Sequence, residues 1–427
     1  MSIRTFLTLS LISLVLMVAL TACGEDALLS DVSCYPNHIT PNADHDTDVL
    51  KIQYDLGRRA YISIYFDDQD GRRYYFRDHI PHGPSIEDPY QVYFAGVVAG
   101  YTLPGETFED FVVERRVLQD GVYTWTIEAL DETGVTEQVT GTLTITEADT
   151  TLPELRGFSI HPPKFTPNRD GIDDRVTIGV HLTKDVNELL VYVEDEEGTR
   201  YHVEWSEKLT PFHEAGRHEF DYDAGVDRGV DPPPDGVYTV TMQAQDMIGQ
   251  WTKATGALTI ENGGVPRVYI LNSEVEWIND GPAVSLPLSS TLYFTLTVEN
   301  DSQVPIRTSG PPPGVVYDSD QNYATLGEYT QSGVFRVAIH CETSPIDHPW
   351  RWAVGGPDDL VEIIHHGESY HYLPAGARAR VTGGIRFVDY VAARNPQYCY
   401  ASLIHEDVEI SMVNYRVDPV QLRIEAP

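Results

Sequence analysis

Four acidic or amide side chains crowd into the stretch TPNRDGIDD, from Thr166 to Asp174. Calcium takes about six to eight oxygens from carboxylates, amides and carbonyls. Asn168, Asp170, Asp173 and Asp174 supply several of these, and Gly171 permits a sharp bend. The stretch lacks the regular ligand run and the distant bidentate Glu of an EF-hand loop. The same residues suit a turn without metal. Pro167-Asn168 and Asp170-Gly171 are turn dipeptides whose side chains bond to the backbone two residues on. Calcium loop and bare turn both fit. Upstream, TPNADHDTD (Thr40 to Asp48) sets Asn42, Asp44, Asp46 and Asp48 on alternate positions. That spacing suits calcium ligands and equally suits solvent-facing strand residues.

Other groups have less to offer. Three histidines cluster in HHGESYHY, as His365, His366 and His371, with His340, His348 and His405 elsewhere. Zinc needs about three or four converging ligands, and Gly367 reads as a turn between His365 and His371, so these are expected to be exposed loop histidines. Trp350 and Trp352 are two apart and share a face on a strand. They either stack on a ligand such as a sugar ring or lie in the core. No nucleophile elbow, H-E-x-x-H or Gly-rich phosphate loop occurs, and an enzyme is not expected. Cys341 and Cys399 fall in strand-like segments of one region. They are a disulfide or two buried thiols, and a disulfide leaves Cys34 unpaired.

The elements that must carry these residues are strands. The chain of 427 residues is long enough for several ordinary domains, and 41% hydrophobic residues can build packed cores. The 65 acidic residues against 29 basic ones give a net charge of -36, which repels phosphate backbones and argues against nucleic acid as a partner. DGVYTWTIEALDETG from Asp120 is answered by DGVYTVTMQAQDMIG from Asp235, and each continues to a closing strand, GTLTIT or GALTIE. Within the first, Tyr123, Trp125, Ile127 and Ala129 alternate with polar residues; within the second, Tyr238, Val240, Met242 and Ala244 do so. The front of the first copy is longer by about a dozen residues. Surface loops absorb insertions at little cost, which places the excess in the loop around FAGVVAGYTLPGETFED. Period-two patterning and Gly/Pro/Asp turns predict sandwiches of about 100 residues.

The order F-T-P-N-x-D-G-x-x-D, then D-G-x-Y and A-x-D-x-x-G, then G-x-L-T-I resembles the Ig-like domain of flagellar hook-capping proteins and other bacterial surface proteins. Phe165 to Asp174, Asp235 to Gly249 and Gly256 to Ile260 carry it, and the first repeat is a degenerate copy. The resemblance implies a fold and a surface role. At the N-terminus an apolar run from Phe6 to Leu20 follows Arg4 and ends in LTAC. The run falls short of the roughly 20 apolar residues of a spanning helix and suits a signal-peptide core. LTAC resembles the lipobox of bacterial lipoproteins, which implies that Cys23 is acylated and becomes the first residue of the mature chain. The pieces VENDSQVPI, VVYDSD, PWRWAV and YLPAG resemble, faintly, a bacterial proteinase-inhibitor β-sandwich.

The expected architecture is all-β: three tandem Ig-like sandwiches after a lipoprotein signal peptide. The signal occupies residues 1–22, a tether 23–32, and the sandwiches 33–148, 152–262 and 266–427. The expected role is a lipid-anchored surface protein, structural or adhesive, with the repeats as spacer and the C-terminal sandwich as recognition module. The lipid holds the membrane, and surface proteins or glycans are the expected partners. No cofactor is expected, calcium apart. A carbohydrate-binding or protease-inhibiting module is the alternative, and a surface hydrolase a more distant one.

Overall fold

The computed structural model describes residues 27–86, 88–204, 211–277 and 283–425. Cys23 and the apolar N-terminal run lie outside them. Among the described residues the regular elements are strands and five 3-10 turns. No helix among them is long and apolar enough to cross a membrane. The fold is all-β, and period two is its cause. Leu50–Leu56 and Val176–Leu182 bury every second residue, as half-buried strands do.

The two repeats share one topology. In the first, an antiparallel sheet of Leu29–Tyr35, Leu50–Leu56 and Tyr90–Phe94 faces a sheet built on Ala60–Asp67, Gly121–Asp131 and Thr136–Ile145. In the second, Leu155–His161, Val176–Leu182 and Gly216–Tyr222 face a sheet built on Glu188–Glu194, Gly236–Gln245 and Trp251–Ile260. In each, a two-residue strand, His38–Ile39 or Lys164–Phe165, pairs parallel with the closing strand. Each pair of sheets encloses a core, around Tyr54, Phe66 and Phe94 in the first and around Phe165, Val193 and Met242 in the second.

The residues shared by the repeats do the closing. Tyr123 donates its hydroxyl to Gln119 O (2.8 Å) and Tyr238 does the same to Pro234 O (2.6 Å), the tyrosine corner of Ig-like sandwiches. Asp120 accepts backbone N–H bonds from Glu147 and Ala148. Asp235 accepts them from Asn262 and Gly263. Asp131 and Asp246 each accept two backbone N–H bonds across the next turn.

The inserted segment of the first repeat departs from expectation. Part of it is no surface loop. Val97–Ala99 and Val112–Val117 are strands, and the second lies antiparallel on Trp251–Ile260, with Thr252 opposite Val113. They extend the sheet of the second repeat, and Phe111 and Val113 join its core. An exposed strand edge is a liability unless covered, and here the neighbouring repeat covers it. The expected tether is also shorter than 23–32. Leu28 and Leu29 are buried in the first core, so a strand begins where the tether was to continue.

The C-terminal region forms a third sandwich. One sheet is built on Thr291–Asn300 and Arg378–Arg386. The other holds Phe335–Cys341, Gln397–His405 and Val417–Glu425. Cys341 and Cys399 lie opposite each other on paired strands and are joined as a disulfide; Cys34 is free. Trp350 and Trp352 are buried in this core, and Trp352 packs edge-on against Phe294 and Tyr317. Their indole N–H groups donate to Gln321 O and Val315 O, both at 3.0 Å. The ligand-stacking reading is therefore corrected. A sugar ring has no face of either indole to meet, and the aromatic payload is used for packing.

Candidate functional site: the Thr166–Asp174 loop and its docking surface

The loop TPNRDGIDD is closed upon its last residue. Asp174 Oδ1 accepts from the backbone N–H groups of Asn168 and Asp170, both at 3.2 Å, and Oδ2 accepts from Gly171 at 2.6 Å. Asn168 Oδ1 accepts from Asp170 N–H (3.0 Å), and Asp170 Oδ1 from Ile172 N–H (2.9 Å). The Thr166 hydroxyl donates to Ile172 O (2.9 Å). These are Asx turns in series, the mechanism by which Asn and Asp favour turns. Arg169, Gly171 and Asp173 take positive φ, at 61°, 81° and 52°.

Thr40 to Asp48 repeats the geometry with one donor to the closing aspartate shifted by a residue. Asp48 accepts from Asn42, Ala43 and His45 N–H groups. Asn42 Oδ1 and Asp44 Oδ1 accept from Asp44 and Asp46 N–H groups. The Thr40 hydroxyl donates to Asp46 O, and Ala43, His45 and Thr47 take positive φ.

The predicted calcium ligands do not assemble as a ligand set. Most of their oxygens are engaged by N–H and O–H donors, and Asp170, Asp173 and Asp174 do not converge on one point. Among the described residues, three such groups bring ligand atoms within 4.8 Å of one another at His340, Asp347 and His348. The turn reading of the loop fits the geometry.

What distinguishes the second loop is its surroundings. Asn168 and Asp170 are buried against the third sandwich. The Tyr372 hydroxyl donates to Asp170 Oδ2 (2.8 Å), and Arg307 Nη1 donates to Asp170 O (2.7 Å). His405 Nε2 bonds to Arg169 O (2.7 Å), Arg169 pairs with Glu409 (3.2 Å) and His366 with Asp173 (2.6 Å). The backbones themselves meet. A Cβ on Gly171 would lie 2.2 Å from Ser332 O, and one on Gly333 2.0 Å from the Asp170 carbonyl carbon. Both glycines have positive φ, so each suits its place twice over.

Burial sets the electrostatics of this junction. It raises the Asp170 carboxyl and the Tyr372 hydroxyl above their ordinary values, while Arg307 opposes the shift at both. Burial lowers His405 to about 4, so its ring is neutral near pH 7. The opposite junction, between the repeats, uses an uncharged group. Gln250 is fully buried and donates to Thr151 O (2.8 Å), Asp149 O (3.1 Å) and Asp246 Oδ2 (2.9 Å), and accepts from Val117 N–H (3.3 Å). Lys184 bridges Asp149 and Asp246 beside it, at 2.7 Å each.

The remaining sequence candidates fall apart in space. His365 and His371 lie on two strands of a hairpin turned at His366-Gly367. Sequence reasoning missed Arg307, Gly333, Tyr372 and His405 as partners of the loop. One signal pointed to them: Gly171 stands where the first copy has His45, although both backbones are left-handed there.

The class that fold and site define is a tandem all-β sandwich protein with built junctions. No family model matches the chain, and no curated protein matches it. Solved structures that it resembles include bacterial adhesin repeats. The tetra-tandem repeat from the extending region of a large adhesion protein is 12% identical, with 90% of this chain and 71% of that chain covered and a TM-score of 0.17. A Ca2+-stabilized adhesin by which an Antarctic bacterium binds ice is 11% identical, with 92% and 71% covered and a TM-score of 0.20. E. coli alpha-2-macroglobulin in its native conformation is 10% identical, with 93% and 23% covered and a TM-score of 0.19.

Proposed function

We propose that the chain is an exported bacterial surface protein, held to a membrane by lipid on Cys23, with a structural or adhesive role. The two repeats act as a spacer and the third sandwich as the recognition module. The observation that carries this reading is the N-terminal pattern, a basic residue, an apolar run and LTAC. The junctions support the spacer role. A strand of the first repeat completes the sheet of the second, and the second repeat's loop is buried in the third sandwich. Such joints resist bending, which a spacer needs. Burial of Trp350 and Trp352 removes the observation that favoured sugar stacking.

Metabolic labelling with an alkyne fatty acid tests the anchor. Label should enter the wild-type chain and be absent from Cys23→Ser, which should leave the membrane fraction. Equal labelling of both, or a wild-type chain retained in the cytosol, refutes the reading. Binding of the purified chain to intact cells and to glycan arrays then tests adhesion, with no binding to either as the adverse result.

A further inference from the structure

The outer face of the third sandwich carries a side-chain cluster that no role above uses. His340 lies on the strand Phe335–Cys341, next to the disulfide, and its register partner is Tyr400. The segment after Cys341 folds back and brings Asp347 and His348 against the same strand pair. His348 is almost wholly buried, at 2% side-chain exposure, whereas Asp347 is 80% exposed. One ligand atom from each of the three residues lies within 4.8 Å of the other two. Asp347 Oδ1 stands 2.8 Å from His348 Nδ1 and 4.0 Å from His340 Nδ1.

One observation points to a missing partner. His348 Nδ1 is buried and makes no hydrogen bond, although a carboxylate oxygen lies close to it. The other ring nitrogen, Nε2, is 3.1 Å from Ser402 Oγ, which is itself held by the Arg416 N–H (3.3 Å). With the ring proton on Nε2, donated to Ser402, the Nδ1 lone pair faces carboxylate oxygen; with it on Nδ1, the N–H makes no aligned hydrogen bond to Asp347. A buried imidazole lone pair opposed to carboxylate oxygen in this way is unfavourable unless a cation lies between them. An imidazole fixed through its far nitrogen is also how histidine ligands are oriented towards a metal. His340 Nδ1 likewise bears a lone pair, since it accepts from His348 N–H (3.2 Å).

We propose that His340, Asp347 and His348 bind one divalent transition-metal ion of the zinc class. Two imidazoles and a carboxylate are borderline ligands of the kind zinc takes, and three of them leave a position open to water or a partner's side chain. Ligands about 2.0–2.1 Å from one ion at a tetrahedral angle lie roughly 3.3 Å apart. The Asp347 distances straddle that value, and its exposed side chain is free to adjust. Binding exchanges the His348 N–H bond at His340 for the metal. Arg416 is the nearby cation, and it is engaged by Glu342 (3.6 Å) and the Tyr400 ring. The ion would pin the segment between Cys341 and Trp350 to the sheet.

Cobalt is the probe, added to the full chain in detergent micelles. One equivalent should produce visible d–d bands of a nitrogen- and oxygen-ligated site, and zinc should bleach them. Asp347 is exposed, so Asp347→Ala should weaken cobalt at least tenfold with an unchanged melting curve. His348→Ala should abolish the bands, and His365→Ala with His366→Ala should leave them intact. Absence of bands in the wild type overturns the proposal. So does unaltered cobalt binding in Asp347→Ala, which folds even if His348→Ala does not.

Discussion

The loop Thr40–Asp48 and the loop Thr166–Asp174 are one backbone in two settings. Each wraps a closing aspartate with three N–H bonds, and each places three alternate residues at positive φ. The first presents Asp44, His45, Asp46 and Thr47 to solvent, while the second buries Asn168 and Asp170 under a neighbouring sandwich. Local hydrogen bonding is therefore enough to make the loop, and docking is added to it. The residues that differ are those that docking needs. His45 has room for its side chain; Gly171 has a carbonyl oxygen 2.2 Å from where a Cβ would be.

Exchanging these two residues breaks the comparison hardest. Gly171→His should cost about 3 kcal/mol or more, since overpacking against backbone has no flexible neighbour to yield. It should also separate the third sandwich, seen as a larger radius of gyration in solution scattering. His45→Gly should stay within about 1 kcal/mol of wild type. Equal behaviour of the two variants would dismiss the docking account.

Acid should open one junction and spare the other. His405 has a folded pKa of about 4, below its ordinary 6.5. Between those values the unfolded chain binds more protons at this residue, so its own contribution rises with pH across the window, while the burial-raised carboxyls of Asp170 and Asp174 pull the other way. The contribution is fully present above about pH 6.5 and lost as pH falls through about 4, by roughly 3 kcal/mol. His405→Gln should flatten this dependence in chemical denaturation. The Gln250 junction carries no imidazole, and hydrogen exchange at Val117 should not follow the same curve.

Smaller effects refine the contrast. Asp170→Ala strands the Tyr372 hydroxyl and the Ile172 N–H and should cost about 2 kcal/mol or somewhat more. Asp44→Ala removes one exposed Asx bond and should cost about 0.5–1 kcal/mol. Denaturant midpoints measure both. The tyrosine corners should be alike instead: Tyr123→Phe and Tyr238→Phe should each cost about 1 kcal/mol, and a large inequality would mean that the repeats close differently.

Much of this molecule was legible before its structure. Period-two burial made its strands, because side chains alternate faces in any strand. The shared Asp120/Asp235, Tyr123/Tyr238 and Asp131/Asp246 were visible as repeats; the tyrosines and Asp131/Asp246 bond within their own corner or turn, whereas Asp120 and Asp235 hold the chain beyond the closing strand. Thr, Asn and Asp in TPNxD act on the backbone within a few residues, so their turn is written locally. The sequence by itself thus determined the all-β class, the repeat and the loop's shape.

Tertiary structure decided the rest. Nothing near Val113 says that it will pair with Thr252, or near Asp170 that Tyr372 will meet it. Trp350 and Trp352 read alike as ligand platform or core until Phe294 and Tyr317 enclose Trp352 and a backbone carbonyl takes each indole N–H. His340 and His348 looked like isolated loop histidines, and they converge because the disulfide-bearing strand and the fold-back after it bring them together. These contacts join residues distant in sequence, or depend on how a segment turns back onto a sheet. Their partners are chosen by which surfaces remain to be covered once the strands have formed.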